Sequence, residues 1–116
     1  EILVIRENAR LKIVIADSFL GPDSPGVFVG TNQRAAGEEA GKLLSSLIAE
    51  GDEISLFKHT QASVATTFRE QGAVEGIRAA RPNSVIHGDV YAGTDSGKEG
   101  ERALFLLKKY QKHLLP

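Results

Sequence analysis

Four short polar clusters follow apolar, strand-like runs in this chain: Asp17-Ser18, Thr31-Asn32, His59-Thr60-Gln61 with Ser63, and Thr94-Asp95. Arg69 stands one turn into the segment after the third cluster. Together they offer carboxylate, amide, hydroxyl and guanidinium groups. That mixture suits a neutral ligand rich in hydroxyls, because each hydroxyl donates one hydrogen bond and accepts others. An Asp takes the donated proton, an Arg gives to the lone pairs, and an Asn does both. The same residue types also cap helices and solvate loops. Residue type alone therefore leaves both roles open, and for Arg69 the spacing by itself favours a surface ion pair with Glu70 or Glu75.

Other chemistries fit less well. "YAGTDSGKEG" (91–100) looks at first like a phosphate loop, but only three residues separate Gly93 from Gly97, and Glu99 follows Lys98 where a Ser or Thr is needed. Gly93 and Gly97 instead serve a turn, and Lys98 is a first-turn surface residue. His59, His87 and His113 are far apart and form no zinc-ligand doublet. Ser63 with His59 lacks the strained Gly-x-Ser-x-Gly elbow of a nucleophile. Glu38 and Glu39 are adjacent on a helix and point in different directions, so they make no catalytic dyad. No nucleophile, base and oxyanion hole are assembled, so the sequence does not read as an enzyme, and it implies no cofactor.

The elements that must position these residues alternate. "KIVIAD" (12–17) and "GVFVG" (26–30) read as strands, joined by a Gly- and Pro-containing loop. A helix is expected over 32–50, with Thr31 or Asn32 as its cap and Gly51 at its end. Ala36, Ala40, Leu43, Leu44, Leu47 and Ile48 fall at helical spacing, and the small residues Ala36, Gly37, Ala40 and Gly41 would let its first turns lie close to a neighbour. A strand follows at 53–58. The next helix is expected at 66–81, with Thr67 and Glu70 as a capping box and Ala73, Val74, Ile77 and Ala80 as its buried stripe. A strand at 84–91 and a helix at 97–113 complete the series. Ser96 and Glu99 have capping-box spacing there, and Ala103, Leu106, Leu107 and Tyr110 mark the buried face. The run 1–11 reads as a short helix, because a strand there would leave too short a crossover. Strands alternating with helices predict a three-layer α/β/α fold with a mainly parallel sheet and a flavodoxin-like lobe. Ligands of such folds sit beyond the carboxyl ends of the strands, where the polar clusters lie.

The totals bound the class. The 116 residues suffice for one domain with a modest core, and 41% are hydrophobic. Fourteen basic against 15 acidic residues leave a net charge of -1, which gives no electrostatic footprint for nucleic acid or an anionic membrane. Cysteine is absent, which excludes disulfides and thiol chemistry. Methionine is absent as well, at position 1 too, so a processed chain or part of a longer one is expected.

"IVIADSFLGPDSPGVFVGTNQRAAGEEAGKLL" resembles the type 1 periplasmic sugar-binding proteins, in their ribose-binding branch. Where the family reads V-G-T-D-N-x-x-A-G, this chain reads "VGTNQRAAG". Where it reads G-x-x-S-x-x-x-R-x-x-G-F, this chain reads "HTQASVATTFREQGA". "YAGTDSGKEGERAL" looks like the family's later strand, acidic turn and helix. The resemblance implies a two-lobed protein that closes on a monosaccharide or similar polyol and delivers it to the membrane permease of an ABC importer. It implies export to the periplasm or cell exterior. It implies that 1–30 end the first lobe and that 31–116 belong to the second. By position it implies sugar contacts from Asp17 and Ser18, from Asn32 at the lobe crossover where the family usually has Asp, and from Arg69, with Ser63 and Ala65 lining the same loop. Gly72 matches the glycine after the arginine, and Ala73 replaces the usual Phe. The resemblance spans less than half of a typical member, and the family's stacking aromatics fall outside it. An exposed lobe interface or an open sheet edge would favour self-association. The same fold serves as the effector domain of LacI-type regulators, which would be cytoplasmic. A nucleotide-binding enzyme is the third class, and it needs phosphate at 93–99.

Overall fold

The computed structural model describes residues 11–110 apart from Phe19 and Thr94. The helix expected at 1–11 and the end of the one expected to reach 113 therefore lie outside the described residues, as do Thr94 and His113. The elements run β1 (Val14–Ala16), β2 (Val27–Val29), α1 (Gln33–Ser45), β3 (Glu53–Lys58), α2 (Val64–Ala80), β4 (Val85–Tyr91) and α3 (Ser96–Tyr110). β1 pairs with β2 in parallel, Ile15 opposite Phe28, and β3 pairs with β4 in parallel, Ile54 opposite Ile86. The fold is thus parallel α/β, with its strands in two two-stranded sheets among the described residues. A register shift between Ser55 and Phe57 interrupts the second ladder.

Three of the helix boundaries that differ from the sequence expectation do so for a local reason. α1 stops at Ser45 rather than at 50. There Ser45 Oγ donates to the Gly41 carbonyl at 2.8 Å and Ser46 Oγ to the Leu43 carbonyl at 2.7 Å, so consecutive hydroxyls compete for the last carbonyls. α2 starts at Val64 rather than 66, because Ser63, not Thr67, is the cap. Ser63 Oγ accepts from Thr66 N at 3.4 Å, while the Thr66 and Thr67 hydroxyls donate back to the Ser63 carbonyl at 3.0 Å. α3 starts at Ser96, one residue early. Asp95 Oδ1 accepts from Gly97 N at 3.0 Å, so Asp95 is the residue that leads into the helix.

The strongest packing joins α1 to α2. Gly37 faces Arg69 and Ala73, and Gly41 faces Ala73 and Ile77; in return Gly72 faces Arg34 and Glu38, and Gly76 faces Glu38 and Lys42. The numbers rise together on both sides, so the helices run parallel. A Cβ at any of these glycines would come within 3.0 Å of a backbone carbonyl oxygen of the other helix, a distance real side chains do not tolerate. The buried stripe of α1 is accordingly Gln33, Gly37, Gly41 and Ser45. The leucines do not bury there: Leu43 is 66% and Leu47 76% exposed. In α2 the buried residues are Gly72, Gly76 and Ile77, with Ala73 and Val74 only half-buried and Ala80 exposed. Ile77 is fully buried.

Around this pair the cover is thin. Val14, Val27 and Val29 on one face of β1–β2 are exposed, as are Leu104, Phe105 and Leu107 on α3. Leu106 is buried, but Leu107, expected on the same inner face, is not. The chain exposes 8344 Å², against about 6,200 Å² for a compact monomer of this mass. Its radius of gyration is 18.0 Å, against about 13 Å for a compact domain of about 100 residues.

The glycine interface gives a direct test. Gly37→Ala and Gly72→Ala are each expected to lower stability by about 1–3 kcal/mol, the cost of forcing volume into a packed contact. Gly100→Ala, on α3 with nothing within 4 Å of its added methyl, is expected to raise stability by about 0.5–1 kcal/mol through helix propensity. Urea midpoints of the three variants check the contrast in sign.

Candidate functional site

The carboxyl ends of β1 and β2 place Asp17 beside Gly30. Asp17 N donates to the Val29 carbonyl at 3.0 Å, and Ser18 N to the Ala16 carbonyl at 2.8 Å. Asp17 carries a positive φ of 68°, a left-handed conformation that costs most residues energy but that Asp tolerates better than most. Both Asp17 and Ser18 are exposed.

Asn32 follows at the start of α1. Its Oδ1 accepts from Ala35 N at 3.1 Å, so the side-chain oxygen is engaged as a helix cap. Its amide N–H donors are not part of that bond. Ser63 plays the equivalent part for α2, and Ala65 lies half-buried in the first turn. Arg69 does not pair with either expected acid. Glu75 binds Arg34 at 2.5 Å and Glu70 binds Lys58 at 3.1 Å. Arg69 instead donates from Nε and Nη2 to one oxygen, Gln33 Oε1, at 2.8 and 2.5 Å. Arg69 is thus tied to the residue that follows Asn32, while no printed contact joins Asp17, Ser18, Ser63 or Ala65 to Arg69. Glu38 and Glu39, expected to diverge, both reach Lys42 Nζ at 2.9 Å.

A cleft of about 380 Å³ opens at this point, lined by Phe28, Gly30, Thr31, Asn32, Gln33 and Phe68. Two aromatic rings thus stand among polar loop groups. Sequence reasoning missed Gln33, Phe28 and Phe68. The signal for Gln33 was the four-residue spacing Gln33, Gly37, Gly41, Ser45, which puts an amide on a stripe of small, closely packed residues.

The ends of β3 and β4 carry a second polar group. Lys58 Nζ lies 4.4 Å from the centre of the Tyr91 ring and 3.1 Å from Glu70 Oε1. Burial pushes the Lys58 ammonium down, but Tyr91 and Glu70 more than offset it, and its pKa is raised. Lys58 and then Gln61 hold the Tyr91 hydroxyl below its usual range. The turn beyond is closed by Arg102, which donates to the Tyr91 carbonyl at 3.0 Å and also to the Ala92 carbonyl. Lys98 lies 3.7 Å from Asp95 on the exposed first turn of α3.

A larger cavity of about 820 Å³ separates α3 from the other face of β3–β4. Ile54, Phe57, Leu106 and Tyr110 make it mostly apolar, and Asp52 and Glu53 place part of it at the amino end of β3. That is the wrong end for a ligand site in a parallel sheet. It is a packing gap beneath α3. Among the described residues, no group of three or more His, Cys, Asp or Glu side chains could hold a metal ion.

Solved structures resemble this arrangement. The chain superposes on the periplasmic component of an ABC-type sugar transport system from Hahella chejuensis with a TM-score of 0.77, 27% identity and 89% of this chain covered. A solute-binding protein of an ABC transporter from Mycobacterium smegmatis, with bound glycerol, gives a TM-score of 0.73, 26% identity and 94% coverage. The sugar-binding protein of a sugar ABC transporter from Bacillus halodurans gives 0.74, 26% and 90%. The fold is that of the periplasmic sugar-binding proteins of ABC transporters. The chain spans 38%, 38% and 36% of these three solved chains, so it corresponds to well under half of such a binding protein. No protein-family model and no curated protein matches its sequence.

The tyrosine at the end of β4 can be followed optically. A nearby ammonium favours tyrosinate, so Tyr91 is expected to ionise below the ordinary value of about 10. Lys58→Met removes that cation and should move the tyrosinate absorbance transition to higher pH. A titration curve identical in the two proteins would show that Lys58 does not hold Tyr91.

Proposed function

We propose that this chain is part of a solute-binding protein that captures a monosaccharide or similar polyol for an ABC importer. The observation that carries the reading is the likeness to the Hahella chejuensis sugar-transport component over 89% of this chain. The local chemistry supports it. Asp17 offers a carboxylate on a left-handed backbone, a conformation often kept at binding sites. Asn32 and Ser63 retain donors beyond their caps, and Arg69 brings a fixed guanidinium. The cleft beside them combines aromatic and polar walls, the usual makeup of a sugar or small-ligand site. Asp17, Ser18, Asn32, Ser63, Ala65 and Arg69 are the proposed ligand-contact set.

On this reading β1 and β2 belong to the first lobe and β3 and β4 to the second, with the chain crossing near Thr31. The two lobes would close over the ligand as hinged domains do. The remaining contacts would come from the larger part of the binding protein to which this chain corresponds. The partner is the membrane permease, the place of action is the periplasm or cell exterior, and the role is binding without catalysis.

Calorimetric titration of the full-length natural protein against pentoses and hexoses tests the proposal. Tight binding of at least one sugar is expected, and Arg69→Ala should weaken it ten- to a hundredfold, the scale of a lost hydrogen bond to a charged group. A protein that binds none of the panel, or an Arg69→Ala variant with undiminished affinity, would overturn it.

A further inference from the structure

Gln33 is 7% exposed, yet it is a polar side chain in a stripe otherwise made of Gly37, Gly41 and Ser45. Its Oε1 receives two hydrogen bonds from the one guanidinium of Arg69, through Nε at 2.8 Å and Nη2 at 2.5 Å. Two bonds to one acceptor fix the plane of the guanidinium as well as its position. They also supply the partner that a buried amide oxygen needs.

The acceptor is a neutral side chain, where Arg81 and Arg102 donate to backbone carbonyls. Arg34, Lys42, Lys58 and Lys98 each meet a carboxylate: Glu75, the Glu38–Glu39 pair, Glu70 and Asp95. Among the ion pairs of the described residues Arg69 has none. A carboxylate in place of Gln33 would hold the guanidinium equally well but would offset its charge. An amide orients the group and leaves the charge for whatever approaches from the open side. Nη1 and the second hydrogen on Nη2 take no part in the Gln33 bonds.

We propose that Gln33 is a positioning residue, an uncharged clamp that aims Arg69 at the ligand without neutralising it. The inference rests on the reading of Arg69 as a ligand contact. It extends that reading to a residue that makes no ligand contact of its own, and it explains how a long, flexible side chain is held ready before the ligand arrives.

The test uses the full-length natural protein with Gln33→Ala, Gln33→Glu, Arg69→Ala and the Gln33→Ala/Arg69→Ala double variant. Nuclear magnetic resonance of ¹⁵N-arginine-labelled protein reads the clamp without any ligand. The Arg69 Nε–H signal is expected to be shifted and slow to exchange, to lose both properties in Gln33→Ala, and to keep them in Gln33→Glu. Calorimetry with the best-binding sugar reads the consequence. Gln33→Ala should weaken binding about tenfold when Arg69 is present, one charged hydrogen bond's worth, and not at all in the Arg69→Ala background. Gln33→Glu should also bind more weakly, several-fold, despite an intact clamp.

An Nε–H signal indifferent to Gln33→Ala would overturn the clamp. So would an equal loss of affinity in both backgrounds, which marks a merely structural role. Affinity in Gln33→Glu equal to that of the natural protein would overturn the argument from charge. If no sugar binds but the signal collapses in Gln33→Ala, the clamp stands and the sugar reading falls.

Discussion

Everything described here hangs on how closely α1 and α2 approach. Their glycines bring backbone against backbone, so the contact admits no side chain at Gly37, Gly41, Gly72 or Gly76. This closeness sets the register between the helices, because only one offset aligns four glycines with four carbonyls. The register in turn decides that Gln33 meets Arg69 and that Arg34 meets Glu75. The same contact brings the first turn of α1 alongside the early turns of α2. A shift of one helical turn would keep both helices intact and separate both pairs.

Much of this was legible from the sequence because it depends on local patterns. The order of strands and helices followed from apolar runs separated by Gly, Pro and cap residues, and β3 over 53–58 emerged with the expected bounds. Asn32 was readable as a cap because a short amide before a helix has few better uses. The misplaced apolar face has one source. Helical spacing of Leu43 and Leu47 suggests a buried apolar stripe, yet close packing of the other face leaves them exposed. Periodicity identifies which residues share a face. It does not say which face wins when a stripe of glycine competes with a stripe of leucine.

The pairing of Arg69 was beyond sequence reasoning for a related reason. Glu70 and Glu75 are nearest along the helix, but Glu70 is drawn to Lys58 and Glu75 to Arg34. Both competitors come from other elements, so the choice appears only after packing. The exposed valines of β1–β2 and the uncovered leucines of α3 fit a chain that corresponds to under two-fifths of the solved binding proteins it resembles.

The parallel course of α1 and α2 has an electrical side. Each helix carries roughly half a positive charge at its amino end, and parallel alignment adds the two where antiparallel alignment would cancel them. Both ends, capped by Asn32 and Ser63, lie toward the edge that holds Arg69. Peptide dipoles do not titrate, and a guanidinium keeps its proton far above neutrality. The positive potential at this edge is therefore built from sources indifferent to proton concentration across the neutral range. Its strength would stay the same from mildly acidic to mildly basic solution.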